Sequence, residues 1–278
     1  MNQSLHREKT AGMSFLTGGE GPPFVLLHGI PGSAQTWAKV GKLLMDQYRV
    51  IIPDLAGFGQ SDVPQGDHYM EGQARHLRQL LSELGIRSLY LGGHDFGGPV
   101  AVTLMRLYPD LLVRGLVLSA TNMFTDTHVP LPLKIAKVPL LNTLAFKAIA
   151  GNRIGLRMMY RAAAKQKTAR SWEQFNQHLT PTCMDLTRRI FQRSLANLKS
   201  NYRAVQDMLP YISCPALVLW GTDDPFFSTS VGERTGAAIS EATLRIYPHT
   251  GHFVPEEQPA AVARDITQFF QSTAVTIA

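Results

Sequence analysis

Between an apolar run, Ser88 to Leu91, and a helix-period segment, Gly98 to Tyr108, the chain reads Gly93-His94-Asp95-Phe96-Gly97-Gly98. Glycines at this spacing let a strand turn sharply into a helix, because a Cβ there would strike the neighbouring strand or helix. An elbow of this kind lifts its central side chain above a sheet. It also sets that side chain at a helix N-terminus, where partial positive charge and a free N–H are at hand. The central residue is Asp95, where a serine or cysteine would also fit the spacing.

The surrounding pattern supplies the sheet that an elbow needs. Short apolar runs recur at Phe24 to Leu27, Val50 to Ile52, Ser88 to Leu91, Gly115 to Leu118, Ala216 to Trp220 and Thr243 to Tyr247. Such runs suit parallel strands covered on both faces. Amphipathic segments alternate with them at Thr36 to Gln47, Glu71 to Leu84, Gly98 to Tyr108, Val231 to Ile239 and Glu256 to Gln271. The alternation predicts an α/β fold, a mostly parallel central sheet flanked by helices.

One interval breaks the alternation. Roughly 95 residues separate the strand ending near Ser119 from the strand at Ala216, far more than one crossover needs. The interval reads as helical, with Pro130, Pro132 and Pro139 near its entry and Pro210 and Pro215 near its exit. From Thr121 to Ser213 it holds 14 Lys/Arg and 4 Asp/Glu, within a chain of net charge +6. We read 121–213 as an inserted helical cap, with 1–120 and 214–278 forming the two parts of the core domain. Phe124, Leu131, Leu133, Ile135, Leu140, Phe146, Met158 and Met159 give this insert an apolar content that predicts a hydrophobic pocket and a small hydrophobic substrate. Its Lys and Arg are spread without interleaved aromatics, so no nucleic-acid partner is expected.

With 45% hydrophobic and 17% charged residues, the chain has the material for a sizeable core, which argues against disorder. No run of 18 apolar residues occurs, so stable membrane insertion is not expected. The polar start MNQSLHREKT has no apolar h-region, and the two cysteines, Cys183 and Cys214, fit a reduced compartment. A cytoplasmic location is the expectation, as a monomer or a dimer.

Four further motifs follow strand ends. His28-Gly29-Ile30-Pro31-Gly32 comes directly after the first apolar run. In an elbow architecture this loop supplies the Ile30 N–H of an oxyanion hole, and the Phe96 N–H supplies the other donor. Asp54 to Asp62 is a tight glycine-rich turn to which we assign a structural role. Gly221-Thr222-Asp223-Asp224-Pro225 places a carboxylate beyond a strand, and His249-Thr250-Gly251-His252-Phe253 places an imidazole beyond another. Nucleophile, acid and base thus occur in the order Asp, Asp, His, each past a strand terminus, where open α/β sheets hold their sites.

On these motifs the chain resembles the α/β-hydrolase fold superfamily, from about Ser14 to Phe270. The HGxP loop, the GHDxG elbow, the GxxD acid and the GHF base resemble its aspartate-nucleophile branch, the epoxide hydrolases and haloalkane dehalogenases. The resemblance implies that Asp95 attacks a saturated carbon to form an alkyl ester and that His252, oriented by Asp224, activates the water that cleaves it. Asp224 fits the GxxD spacing better than Asp223, and His252 fits the GHF pattern better than His249. His28, Pro31, Phe96 and Phe253 are expected at the substrate. No cofactor or metal is implied.

Two leaving groups remain open within the branch. An epoxide oxygen must receive a proton, a task that cap tyrosines perform in the epoxide hydrolases. Tyr202, in Ser200-Asn201-Tyr202-Arg203-Ala204, resembles the Tyr-Arg signature of such caps. Tyr160 is the remaining tyrosine of the cap body, and His128 is an alternative donor. A halide needs N–H donors, and the tryptophan that dehalogenases carry after the nucleophile is Phe96 here. Ile30 stands where they carry another donor. Epoxide hydrolysis is therefore placed ahead of haloalkane or haloacid dehalogenation. A non-catalytic, ligand-sensing protein on the same fold is the alternative from a different class.

Overall fold

The computed structural model describes residues 4–128, 146–165, 172–173 and 176–277. Eight strands form one sheet: β1 (His6–Thr10), β2 (Met13–Gly18), β3 (Pro23–Leu27), β4 (Arg49–Pro53), β5 (Ser88–His94), β6 (Leu112–Ser119), β7 (Ala216–Gly221) and β8 (Ala242–Tyr247). Their spatial order is β1-β2-β4-β3-β5-β6-β7-β8. β1 and β2 join antiparallel, and from β4 to β8 every pairing is parallel. The six expected strands are all present. The antiparallel pair β1–β2 was not expected, because β1 (HREKT) is a polar edge strand without an apolar run.

The period of two along each strand divides the core. Phe24 and Leu26 of β3 face one side, with α1 (Gln35–Leu44) and α9 (Pro259–Ile277) through Trp37, Val40, Leu44, Val262, Ile266 and Phe270. Val25 and Leu27 face the other side, with α2 (Met70–Glu83) and α3 (Gly97–Leu107) through Leu77, Leu80, Val100 and Leu104. The sheet is therefore covered on both faces, as parallel strands require. Helix α7 (Thr229–Ala238) crosses from β7 to β8. The segment expected as one helix, Glu256 to Gln271, is two: a single turn α8 (Val254–Glu257), then α9, which begins at Pro259, where proline suits a first helical position.

Among the described residues, the helices of ten residues or more in the long interval between β6 and β7 are α4 (Arg153–Ala163), α5 (Pro181–Ala196) and α6 (Leu198–Met208). Each start is fixed by a side-chain cap. Asn152 accepts from the Gly155 N–H, Thr180 from Cys183 ahead of Pro181, and Asn197 from Ser200. Pro130, Leu131, Pro132, Leu133, Ile135, Pro139 and Leu140 lie outside the described residues. Phe124 and Phe146 are buried, whereas Met158 is 68% exposed and belongs to neither core nor pocket. Helix α4 turns Leu156, Met159 and Tyr160 inward, and Met158 falls on the opposite face of the 3.6-residue period. Among the described residues no helix is long and apolar enough to cross a membrane.

The glycine-rich turn after β4 braces the loop after β3. The Asp54 carboxylate, fully buried, accepts from the Ala34 N–H at 2.6 Å, the Gln60 N–H at 3.0 Å and the Arg7 guanidinium at 2.7 Å. Arg7 keeps part of its side chain in water, so losing Asp54 leaves a half-buried cation and two backbone N–H groups without their acceptor, at a cost of about 1–3 kcal/mol. Asp54→Ala is expected to lose stability of that order in urea unfolding, with Arg7→Met costing less because it leaves the carboxylate its N–H donors.

Candidate active site

Asp95 sits at the turn from β5 into α3 with a φ of +49°, in the left-handed region that a non-glycine residue adopts only under constraint. The Asp95 N–H donates to the Ser119 carbonyl at 3.1 Å, and its own carbonyl accepts from the Thr121 hydroxyl at 2.6 Å. A Cβ on Gly93 would overlap the backbone of Gly97 and Gly98, and one on Gly29 would come within 2.5 Å of the Asp95 side chain. Glycine at these two places is what lets the β3 loop and the α3 terminus close on the carboxylate.

Ile30 donates its N–H to Asp95 Oδ2 at 2.9 Å. The backbone N–H of Phe96, the next residue, adds to the pull of Ile30 on the carboxylate. Burial pushes the Asp95 carboxyl up, and the His252 imidazole and these two N–H groups pull it back only in part. The result is a carboxylate more basic than an exposed one.

His252 follows β8, and its Nδ1 lies 2.9 Å from Asp224 Oδ2. Its Nε2 lies 3.8 Å from Asp95 Oδ1. Asp224 follows β7, and its other oxygen accepts the Phe226 N–H at 2.8 Å and the Phe227 N–H at 3.1 Å. A carboxylate so held places the His252 proton on Nδ1 and leaves the Nε2 lone pair on the side of Asp95, open to a donor such as water. Burial pushes the imidazole down, but the charge and hydrogen bond of Asp224, then Asp95 and Glu257, outweigh it and leave His252 raised. Asp223, by contrast, faces outward toward Lys165 at 3.7 Å. His249 lies in an exposed turn.

A cavity of about 110 Å³ opens over these groups. Its walls include Ile30, Pro31, Phe96, Phe226, Phe227 and Phe253 from the core, and Leu156, Met159, Phe191, Leu195 and Leu198 from α4 to α6. The polar groups in its lining besides Asp95 and His252 are Asn122, Thr127, His128, Tyr160, Ser194 and Tyr202. Among the described residues no cluster of His, Cys, Asp and Glu could hold a metal ion.

Tyr202, on α6, is buried near Asp95, and both burial and that carboxylate push its phenol well up, so it stays protonated. Tyr160, on α4, lines the same cavity, but its hydroxyl donates to Glu256 Oε2 at 2.9 Å. His28 is fully buried and outside the lining. Its Nδ1 is 2.7 Å from the Gly29 carbonyl and its Nε2 accepts from Leu55 at 2.9 Å, so its ring ties two loops together and does not reach the substrate space. His94 likewise donates from Nε2 to the His252 carbonyl at 3.0 Å.

Several cavity residues went unread in the sequence. Asn122, three residues beyond β6, had a usable signal, since a polar residue past a parallel strand terminus points at the site. Phe226 and Phe227 follow Asp224 after a single proline, Pro225. Ser194, in the last turn of a basic helix, had no signal.

Residues 22–259 match the sequence profile of the alpha/beta hydrolase fold family. An uncharacterised protein of Mycobacterium tuberculosis is 28% identical over 272 residues, which span 94% of this chain and 78% of that protein. Epoxide hydrolase 4 of Mus musculus is 24% identical over 273 residues, spanning 92% of this chain and 76% of that one. The haloalkane dehalogenase DbeA of Bradyrhizobium elkani has the same fold, with a TM-score of 0.85 at 22% identity over 99% of both chains.

Asp224→Asn tests the electrostatics of the pair. Asn keeps its oxygen toward the Phe226 and Phe227 N–H groups and turns its amide toward Nδ1, so the ring proton moves to Nε2. With the Asp224 charge and hydrogen bond gone, and only Asp95 and Glu257 left to oppose burial, the His252 titration followed by NMR is expected to fall from its wild-type position. An unmoved titration would contradict the assigned hydrogen bond.

Proposed function

The chain belongs to the alpha/beta hydrolase fold family, and we propose that it hydrolyses epoxides through an alkyl ester on Asp95. The observation that carries this reading is the Asp95 carboxylate facing a largely apolar cavity that the buried, protonated phenol of Tyr202 also lines. A carboxylate attacking an acyl carbon would give a mixed anhydride, a poor intermediate. At a saturated carbon it gives a stable ester, provided the leaving oxygen is protonated.

In the proposed cycle Asp95 Oδ1 attacks an epoxide carbon and the ring oxygen takes the Tyr202 proton. Oδ2, already bonded by Ile30, becomes the ester carbonyl oxygen. Water then loses a proton to His252 Nε2 and attacks the ester carbonyl carbon. The oxyanion that forms on Oδ2 is met by the Ile30 and Phe96 N–H groups. Residues 121–213 serve as the cap that closes the site, with α4 to α6 as its described part. The Tyr160 proton is committed to Glu256, so its part is to form the wall and to join cap to core. No step calls for a cofactor.

Carbon–halogen hydrolysis is the second reading, favoured by the fold of the dehalogenase neighbours. It is placed behind because a leaving halide needs N–H donors. Trp37 donates to the Leu27 carbonyl and Trp220 to the Phe227 carbonyl, and neither of these nor Trp172 lines the cavity.

Intact-protein mass distinguishes the two. His252→Gln exposed to styrene oxide is expected to gain the mass of the whole epoxide, and the gain is expected to vanish when Asp95→Asn is added. A gain of the alkyl group alone from 1-bromobutane would favour dehalogenation. No gain from either would favour ligand binding without turnover. Within the first outcome, Tyr202→Phe is expected to slow ester formation by about 100-fold or more, the usual worth of a general acid.

A further inference from the structure

Tyr202 works alone in the reading above, because the phenol of Tyr160 is turned to Glu256. A single buried phenol is a poor acid at neutral pH, since the phenolate it leaves would sit in an apolar pocket close to Asp95. The surroundings of Tyr202 answer that difficulty. Ser194 and Asn122 line the same cavity, and both favour its phenolate. The Asn122 amide is otherwise held by Phe124, to whose carbonyl it donates at 3.1 Å.

Ser194 is the more consequential of the two. It lies on α5, lines the cavity and is buried. Its Oγ is 3.0 Å from the hydroxyl of Tyr69, a core residue that precedes α2. Tyr69 stays protonated, pushed up to about 12 by burial. Its ring is clamped between Phe96, with centroids 5.5 Å apart, and the Arg193 guanidinium, 4.3 Å from the centroid. Arg193 is in turn held by Asp67 at 2.8 Å. The tyrosine hydroxyl is thus fixed against Ser194, and Tyr69 itself is outside the cavity lining.

We propose that Tyr69 and Ser194 form a hydroxyl relay behind Tyr202, in which Tyr69 donates to Ser194 and Ser194 donates to the Tyr202 oxygen. The inference rests on the epoxide reading. On ring opening, the bond from Asp95 to carbon forms and the carbon–oxygen bond breaks toward oxygen, which takes the Tyr202 proton. The phenolate left behind is met by the Ser194 proton, and the Ser194 oxygen is met by the Tyr69 proton. During ester hydrolysis one proton of water passes through His252 to the departing alcohol. The other, on the regenerated Asp95 carboxyl, restores the Tyr202 phenol. Ser194 and Tyr69 are positioning residues in this scheme, because they act through Tyr202. A core tyrosine and a cap serine thereby replace a second cap tyrosine.

The test separates ester formation from ester hydrolysis by rapid-quench mass spectrometry with styrene oxide. Ser194→Ala is expected to slow ester formation about tenfold, the worth of one hydrogen bond to a charged oxygen, with epoxide binding and ester hydrolysis unchanged. Ser194→Thr, which keeps the hydroxyl, is expected to restore the rate. Tyr69→Phe removes one oxygen and keeps the clamped ring, so it folds. It is expected to slow the same step severalfold, and the double variant to be no slower than Ser194→Ala. Equal slowing of both steps, or effects that multiply in the double variant, would assign Ser194 and Tyr69 a packing role and overturn the relay. An unchanged rate of ester formation in Ser194→Ala would do the same. Absence of any ester in the His252→Gln parent would instead remove the epoxide reading itself.

Discussion

The left-handed backbone of Asp95 is the constraint around which the site is arranged. At a φ of +49° an aspartate costs the fold of order 1–3 kcal/mol, and the cost is met by hydrogen bonds to Ser119 and Thr121 from the neighbouring strand end. In return the carboxylate stands clear of the sheet at the start of α3, with Ile30 and Phe96 presenting N–H groups to it. Because β3, β5, β7 and β8 run parallel, their ends bring Ile30, Asp95, Asp224 and His252 to one edge of the sheet. The chemistry therefore follows from strand direction and one strained residue.

The helices between β6 and β7 are joined to this edge at the His252 loop itself. The His252 N–H donates to the Ala163 carbonyl at 2.9 Å, just past Tyr160 and its bond to Glu256. The Lys165 N–H and the Gly251 N–H both donate to Glu257. The end of α4 and the loop carrying His252 thus share one hydrogen-bond network. With an aromatic and aliphatic wall above it, the carboxylate–imidazole pair works in a low dielectric, where its charges act over short range with little screening.

Much of this was legible in the sequence where function is local. The elbow, the HGxP loop and the GHF loop could be read because each packs its glycines and its reacting group within six residues of a strand end. The antiparallel β1–β2 pair could not be read, since β1 has no apolar face of its own and gains its place by pairing with β2. Helix α4 could be expected from its period, but not which of Met158 and Met159 faces inward. The fate of Tyr160 and the place of Ser194 against Tyr69 depend on contacts across 96 and 125 residues of chain, and no local pattern encodes such contacts.

The central claim is that the oxygen delivered to the substrate comes from Asp95 and that water restores it. A single turnover of excess wild-type enzyme with styrene oxide in water enriched in oxygen-18 tests this directly. The account predicts an unlabelled diol, and one heavy oxygen in the peptide that contains Asp95. A labelled diol with an unlabelled Asp95 peptide would show that water attacks the substrate itself, and would contradict the account.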